Sequence, residues 1–222
     1  MREAVAAMLA ADLDLPVPEP YLVMVEPEFA ATIPDREVKD LAQASIGWNF
    51  GSAKLPPGFS TMPCDRPLAR DLLQTAGEIL AFDTFICNDD RRVTNPNLLS
   101  NGREFAIFDH ELAFFMRLRL DWKSPWEPGA IQFNLAGPTD SRHVFLDQLA
   151  RHSVNLDRLS GAIEAITSER LAEYKSVLPD EWLNDGAEID SILDYIGQLR
   201  DRFPEAVREF TRAITEVKGA LP

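Results

Sequence analysis

AFDTFICNDDRRVTNPNLLSNGREFAIFDHELAFF, residues 81–115, decides how the rest of the chain is read. Asn101-Gly102 stands between two apolar runs, Leu98-Leu99 and Phe105-Ala106-Ile107-Phe108. These two residue types tolerate positive φ in a tight turn, so the stretch predicts a β-hairpin. A two-residue loop pairs Asp109 with Thr94, and a three-residue loop with a bulge pairs it with Asn95. On either register Asp109 lies beside Asn95. Asp89, Asp90, Asn95 and Asn97, which precede the first strand, are then carried to the end of the hairpin where a carboxylate closes the second strand. Oxygen ligands gathered in this way suit a divalent cation.

Upstream, Leu68, Leu72, Leu73, Ala76, Ile79 and Leu80 recur at helical spacing and continue to Phe82, Phe85 and Ile86. They predict a buried helix with Pro67 in its first turn, a rigid base for the loop that follows. Residues 47–67 carry Gly51, Pro56-Pro57-Gly58 and Pro63 and are expected to form an ordered loop. Before them come a short helix over 36–44, a strand over 21–25 and an Ala-rich helix over 2–11, which Leu15-Pro16-Val17-Pro18 ends. Downstream, Trp122, Trp126 and interspersed Pro and Gly make residues 115–143 irregular, a substrate-facing or lid segment. Helical spacing returns over 144–152, 156–166, 169–177, 187–199 and 204–217, with Asn155 and Ser168 as N-caps. The expected class is α+β and mostly helical.

Composition bounds the function. The 222 residues are 45% hydrophobic, ample for a packed core. Against 36 Asp and Glu there are 22 Lys and Arg, and a net charge of -14 repels phosphate backbones, so nucleic acid is not an expected partner. No apolar run approaches the roughly 20 residues that span a bilayer, so no membrane partner is expected. Cys64 and Cys87 make no disulfide framework, and His110, His143 and His152 show no zinc spacing. A reducing cytoplasm fits this usage. Arg91 and Arg92 read as solvated surface charge and His110 as a packed neighbour. The tryptophans Trp48, Trp122, Trp126 and Trp182 read as core or lid packing.

Phosphoryl transfer calls for an aspartate that orients the attacking hydroxyl, an asparagine five residues on that holds magnesium, and a second aspartate at a strand end. Asp90, Asn95 and Asp109 fit that order. The run from Asn88-Asp89-Asp90 through Asn97-Leu98-Leu99, followed by Phe105-Ala106-Ile107-Phe108-Asp109-His110, resembles the catalytic and metal-binding motifs of the HipA-like kinase family. Glu3, Leu15-Pro16-Val17-Pro18 and Phe50-Gly51-Ser52 resemble it as well. The resemblance implies one kinase-like domain over 1–222: a remnant N-lobe and hinge over 1–66, and a helical C-lobe with a catalytic hairpin over 67–222. It implies Asp90 as catalytic aspartate, Asn95 and Asp109 as metal ligands, Asn97 as a supporting residue on the cofactor side, and Mg2+ and ATP as cofactors. A protein substrate or protein partner follows from the same resemblance. Neither G-x-G-x-x-G nor a P-loop occurs, and none of the five lysines lies in a strand before the first helix, so most of the N-lobe is expected to be absent. The expected activity is ATP-dependent transfer to a protein Ser or Thr hydroxyl, incomplete as encoded. The alternative is an inactive kinase-like module that binds a protein.

Overall fold

The computed structural model describes residues 1–63, 66–115, 122–133, 135, 138–149, 151–183 and 186–220. Cys64 lies outside them. Helix α1 (Arg2–Asp12) buries Val5, Leu9 and the alanines around them. Small side chains let it sink almost to its full girth. Strand β1 (Pro20–Val25) and strand β2 (Gly47–Ser52) pair antiparallel, with Val23 opposite Asn49. Helices α2 (Pro27–Thr32) and α3 (Arg36–Ala44) connect them. Asp35 caps α3, its carboxylate accepting from Val38 N at 3.0 Å.

Two expectations fail in this region. Residues 47–67 are not a loop, for they contain β2 and the short strand β3 (Ser60–Thr61). Gly51 is not punctuation there. A Cβ on it would come within 2.8 Å of Val23 Cγ2, so glycine lets the paired strands lie close. Trp48, 38% exposed, is not core. It shares the surface of this two-stranded sheet with Tyr21, Leu22, Val23 and Met24.

Helix α4 (Leu73–Phe85) begins six residues later than Pro67 implies, after a single 3-10 turn at Arg70–Leu72. Gln148 explains the delay: its Oε1 accepts from Leu68 N at 2.8 Å and holds the chain extended there. The rest of α4 is as expected, buried through Ala76, Ile79, Leu80, Phe82 and Phe85. Strands β4 (Leu98–Ser100) and β5 (Phe105–Ile107) form the hairpin, and β3 adds to β4. Helices α5 (Leu146–Leu149), α6 (Asp157–Glu164), α7 (Ser168–Ser176), α8 (Gly186–Asp201) and α9 (Phe203–Ala220) follow. The stripes foreseen in the last two meet α4 in one core, where Phe85 lies edge-to-face with Phe203 and Phe210 at 5.2 and 5.8 Å. Both expected caps shift by one position. Thr167, not Ser168, accepts from Arg170 N, and Asn155 bonds Asp157 N one residue before the N-cap. The fold is α+β, about half helical with small sheets. Among the described residues no helix is long and apolar enough to cross a membrane.

Candidate active site

The hairpin turn is slipped by one residue from its expected place. Asn101 N donates to Glu104 O at 3.3 Å, so the two loop residues are Gly102 and Arg103. Of the two, only Gly102 has positive φ, at 85°, as expected when glycine takes the first central position of a II′ turn. Asn101 Oδ1 accepts from the backbone N–H of Arg103 and Glu104, both at 2.9 Å, which fixes this choice. The register therefore pairs Leu98 with Ile107. Continued outward, it sets Asp109 opposite neither Thr94 nor Asn95. Phe108 N instead reaches Asn97 O at 3.3 Å.

The candidate residues nonetheless converge. Asp90, half-buried, accepts from Asn95 Nδ2 at 2.8 Å and from Asn97 Nδ2 at 3.0 Å through one carboxylate oxygen. A tight turn makes this possible, with Arg92 N donating to Asp90 O at 2.9 Å and Asn95 N to Arg92 O at 3.1 Å. Asn97 and Asp109 both adopt left-handed backbone, φ 45° and 59°, a conformation these two residue types tolerate best after glycine. Asp109 is close enough to Asp90 and Glu3 for their charges to act on it. Partial burial first, then those two carboxylates, push its carboxyl above the ordinary range.

Beneath this surface lies a buried cluster that the sequence reading missed. Arg91 is fully buried, not solvated. Its Nε donates to Asp83 Oδ2 at 2.7 Å and its Nη2 to Asp83 Oδ1 at 3.3 Å. Its Nη1 donates to the backbone carbonyls of Asn97 and, at 3.2 Å, Phe108, holding both ends of the candidate site. Asp83 also accepts from Asn88 Nδ2 at 2.8 Å and from His143 Nε2 at 3.0 Å. Burial alone would raise its carboxyl, but the Arg91 charge and the His143 bond outweigh that and hold it far below the usual carboxylate range. An aspartate between Phe82 and Phe85 on an apolar helix was the available signal, since such a charge needs a buried partner.

His110 is buried, as expected of a packed neighbour. Its Nε2 lies 3.0 Å from Arg91 Nη2, and because a guanidinium only donates, Nε2 accepts and the ring proton sits on Nδ1. That nitrogen faces Glu3 Oε1 at 3.4 Å, while Glu3 Oε2 accepts from His110 N. The first turn of α1 is thus fixed to the residue after Asp109.

Three side-chain oxygen carriers, Asp90, Asn95 and Asn97, meet within hydrogen-bonding distance, a fourth, Asp109, feels the charge of Asp90, and a buried guanidinium holds the backbone carbonyls of Asn97 and Phe108. The HipA-like kinase family model matches residues 1–207 of this sequence. The chain belongs to the HipA-like kinase family. Membership carries a kinase-like function in general, and with it the use of ATP and a metal by the family as a class. No curated protein and no solved structure matches the chain. Among the described residues no three His, Cys, Asp or Glu side chains gather as a metal cage. Magnesium favours one or two carboxylates together with substrate phosphates. The donor set here fits that use, because a carboxyl crowded by two others is relieved by a cation.

Proposed function

We propose that the chain is the catalytic part of an ATP-dependent kinase acting on a Ser or Thr hydroxyl of a protein. What carries the reading is the Asp90 carboxylate, held by the amides of both Asn95 and Asn97 and coupled by charge to Asp109. Asp90 orients the attacking hydroxyl and receives its proton as the new O–P bond forms and the bond to the leaving diphosphate breaks. The amide nitrogens of Asn95 and Asn97 are committed to Asp90, which leaves their side-chain oxygens for ligation. Asn95 and Asp109 would hold magnesium, with Asn97 supporting the cofactor side. When bound, the metal and nucleotide supply the phosphoryl group and neutralise its charge. The chain's own part is alignment, and Arg91 provides it by fixing the carbonyls of Asn97 and Phe108.

The full chain, incubated with labelled ATP, magnesium and serine peptides, is expected to transfer phosphate, and Asp90→Asn is expected to reduce transfer at least about a hundredfold. Equal transfer by both proteins, or none by either, would sink the proposal. One observation favours a second reading, that of a kinase-like module that binds a protein without chemistry. Glu3, which resembles the glutamate that the family pairs with a lysine, is bonded to His110 instead. Saturable calorimetric binding of magnesium and ATP to the chain would count against that second reading.

A further inference from the structure

A cavity of about 690 Å³ opens beside the Asp90 loop, which lends it Asn88, Asp89 and Arg92. Its volume lies within the roughly 300–1,000 Å³ typical of ligand pockets. Neither Asn95, Asn97 nor Asp109 lines it, so it is separate from the proposed metal end of the site. Its lining includes the apolar Trp122, Ile131, Phe133 and Leu146. Among its Lys, Arg, Asp and Glu side chains the cations prevail, Arg92, Lys123 and Arg142 against Asp89. This reverses the balance of a chain with 36 acidic and 22 basic residues.

Two of those cations are available. Arg92 directs its Nε to the Asp89 backbone carbonyl at 2.7 Å, and neither it nor Lys123 forms a salt bridge to a carboxylate among the described residues. Glu127 acts on Lys123 only at longer range. Arg142 is held by Asp147 at 2.9 Å and by the Leu135 carbonyl at 2.7 Å, yet its Nε is buried with no hydrogen-bond partner. A concave cavity in which Lys and Arg outnumber Asp and Glu concentrates anions, and here it does so next to the residue that would receive the acceptor's proton.

We infer that this cavity binds the acidic flank of a polypeptide acceptor and so presents its Ser or Thr hydroxyl to Asp90. The inference rests on the kinase reading for its word "acceptor". A polypeptide is favoured because the available cations come from separate segments, the Asp90 loop and residues 122–133, and so match carboxylates spaced along a chain.

Fluorescence polarisation of short labelled serine peptides tests this, with flanks all glutamate, all glutamine or all lysine. The chain is expected to bind the glutamate peptide about tenfold more tightly than the glutamine one at low salt, with lysine weakest. The Arg92→Gln/Lys123→Gln double variant and raised salt should each shrink that preference to about twofold. Both side chains are exposed, so the double variant retains its fold. Preference for lysine flanks, or a glutamate preference unchanged in the double variant, overturns the inference. So does free glutamate displacing the peptide as well as an unlabelled copy does, which would make the cavity a small-anion site. Asp90→Asn separates the two proposals, since Asp90 does not line the cavity. A glutamate preference kept by that variant, without phosphoryl transfer by the native chain, sinks the kinase reading and leaves the recognition of acidic peptide standing. Transfer without regard to flank does the reverse.

Discussion

Arg91 and Asp83 form a charge pair with 0% and 1% side-chain exposure, and each is satisfied by several further bonds. Removing either partner leaves the other charged in an apolar interior. Arg91→Met and Asp83→Asn are each expected to cost about 3–5 kcal/mol, read from urea midpoints at neutral pH. The same pair sets an acid dependence. Because Asp83 has a depressed folded pKa, the unfolded chain binds its proton first as pH falls. The stability it contributes is complete above the unfolded aspartate value of about 3.9, and is lost as pH drops below that towards the folded value. Urea titrations below about pH 4 should therefore show a steeper loss in the native protein than in Asp83→Asn, and parallel curves would refute the assignment. The grouping of Asp90 with Asn95 and Asn97 was legible in the sequence because their order and spacing are local. Arg91 was not, because a run of two arginines looks solvated until the fold shows that one side chain turns inward to an aspartate one helix back.

Helix α4 was legible through its apolar spacing, but its fit to its neighbours was not. Gly77 sits in the helix where alanine would ordinarily stabilise by about 1 kcal/mol. A Cβ there would lie 2.5 and 2.6 Å from the two methyls of Val154, which closes that face. Gly77→Ala is expected to destabilise by about 1–3 kcal/mol despite its better helix propensity. Adding Val154→Ala should recover most of that loss, and thermal melts of the four proteins in the cycle would show it. A stabilising Gly77→Ala would mean that Val154 yields freely. The hairpin teaches a similar lesson. Asn101-Gly102 announced a turn, but the Asn101 side chain bonds Arg103 N and Glu104 N, which moves the turn along by one residue and Asp109 with it. The turn residues predict that a hairpin forms, and side-chain bonding decides its register.

The whole molecule is closed by bonds between its two ends. Arg2 pairs with Glu188 at 2.6 Å, Asp12 accepts from Arg170 at 2.7 Å and from Tyr174 at 2.6 Å, and Arg158 reaches the Leu13 carbonyl at 2.8 Å. Past α1, Ile107 N donates to Pro16 O at 2.8 Å, joining that helix's exit to β5. Val5 and Leu9 share one core with Ile196 and Ile214. The first helix and the last ones are thus expected to unfold together. Leu9→Ala should cost about 2–5 kcal/mol and lower the midpoint of one transition, seen alike by far-UV circular dichroism and by fluorescence of tryptophans outside α1. An early circular-dichroism phase with unmoved fluorescence would show α1 to be separable.

By itself the sequence determined the class, the order of most elements and the buried stripes of the long helices, and it nominated Asp90, Asn95, Asn97 and Asp109 as candidates. Periodicity, turn chemistry and short-range spacing act between residues a few positions apart. The tertiary structure decided what depends on distant partners. It paired β2 with β1 where glycine and proline suggested a loop, sank Arg91 beside Asp83 and His143, and set the first turn of α1 against the residue after Asp109 through Glu3 and His110, 107 positions apart. Spacing along the chain carries no record of those contacts. They exist because buried charges must find partners, and which partners are within reach is settled only when the whole core has closed.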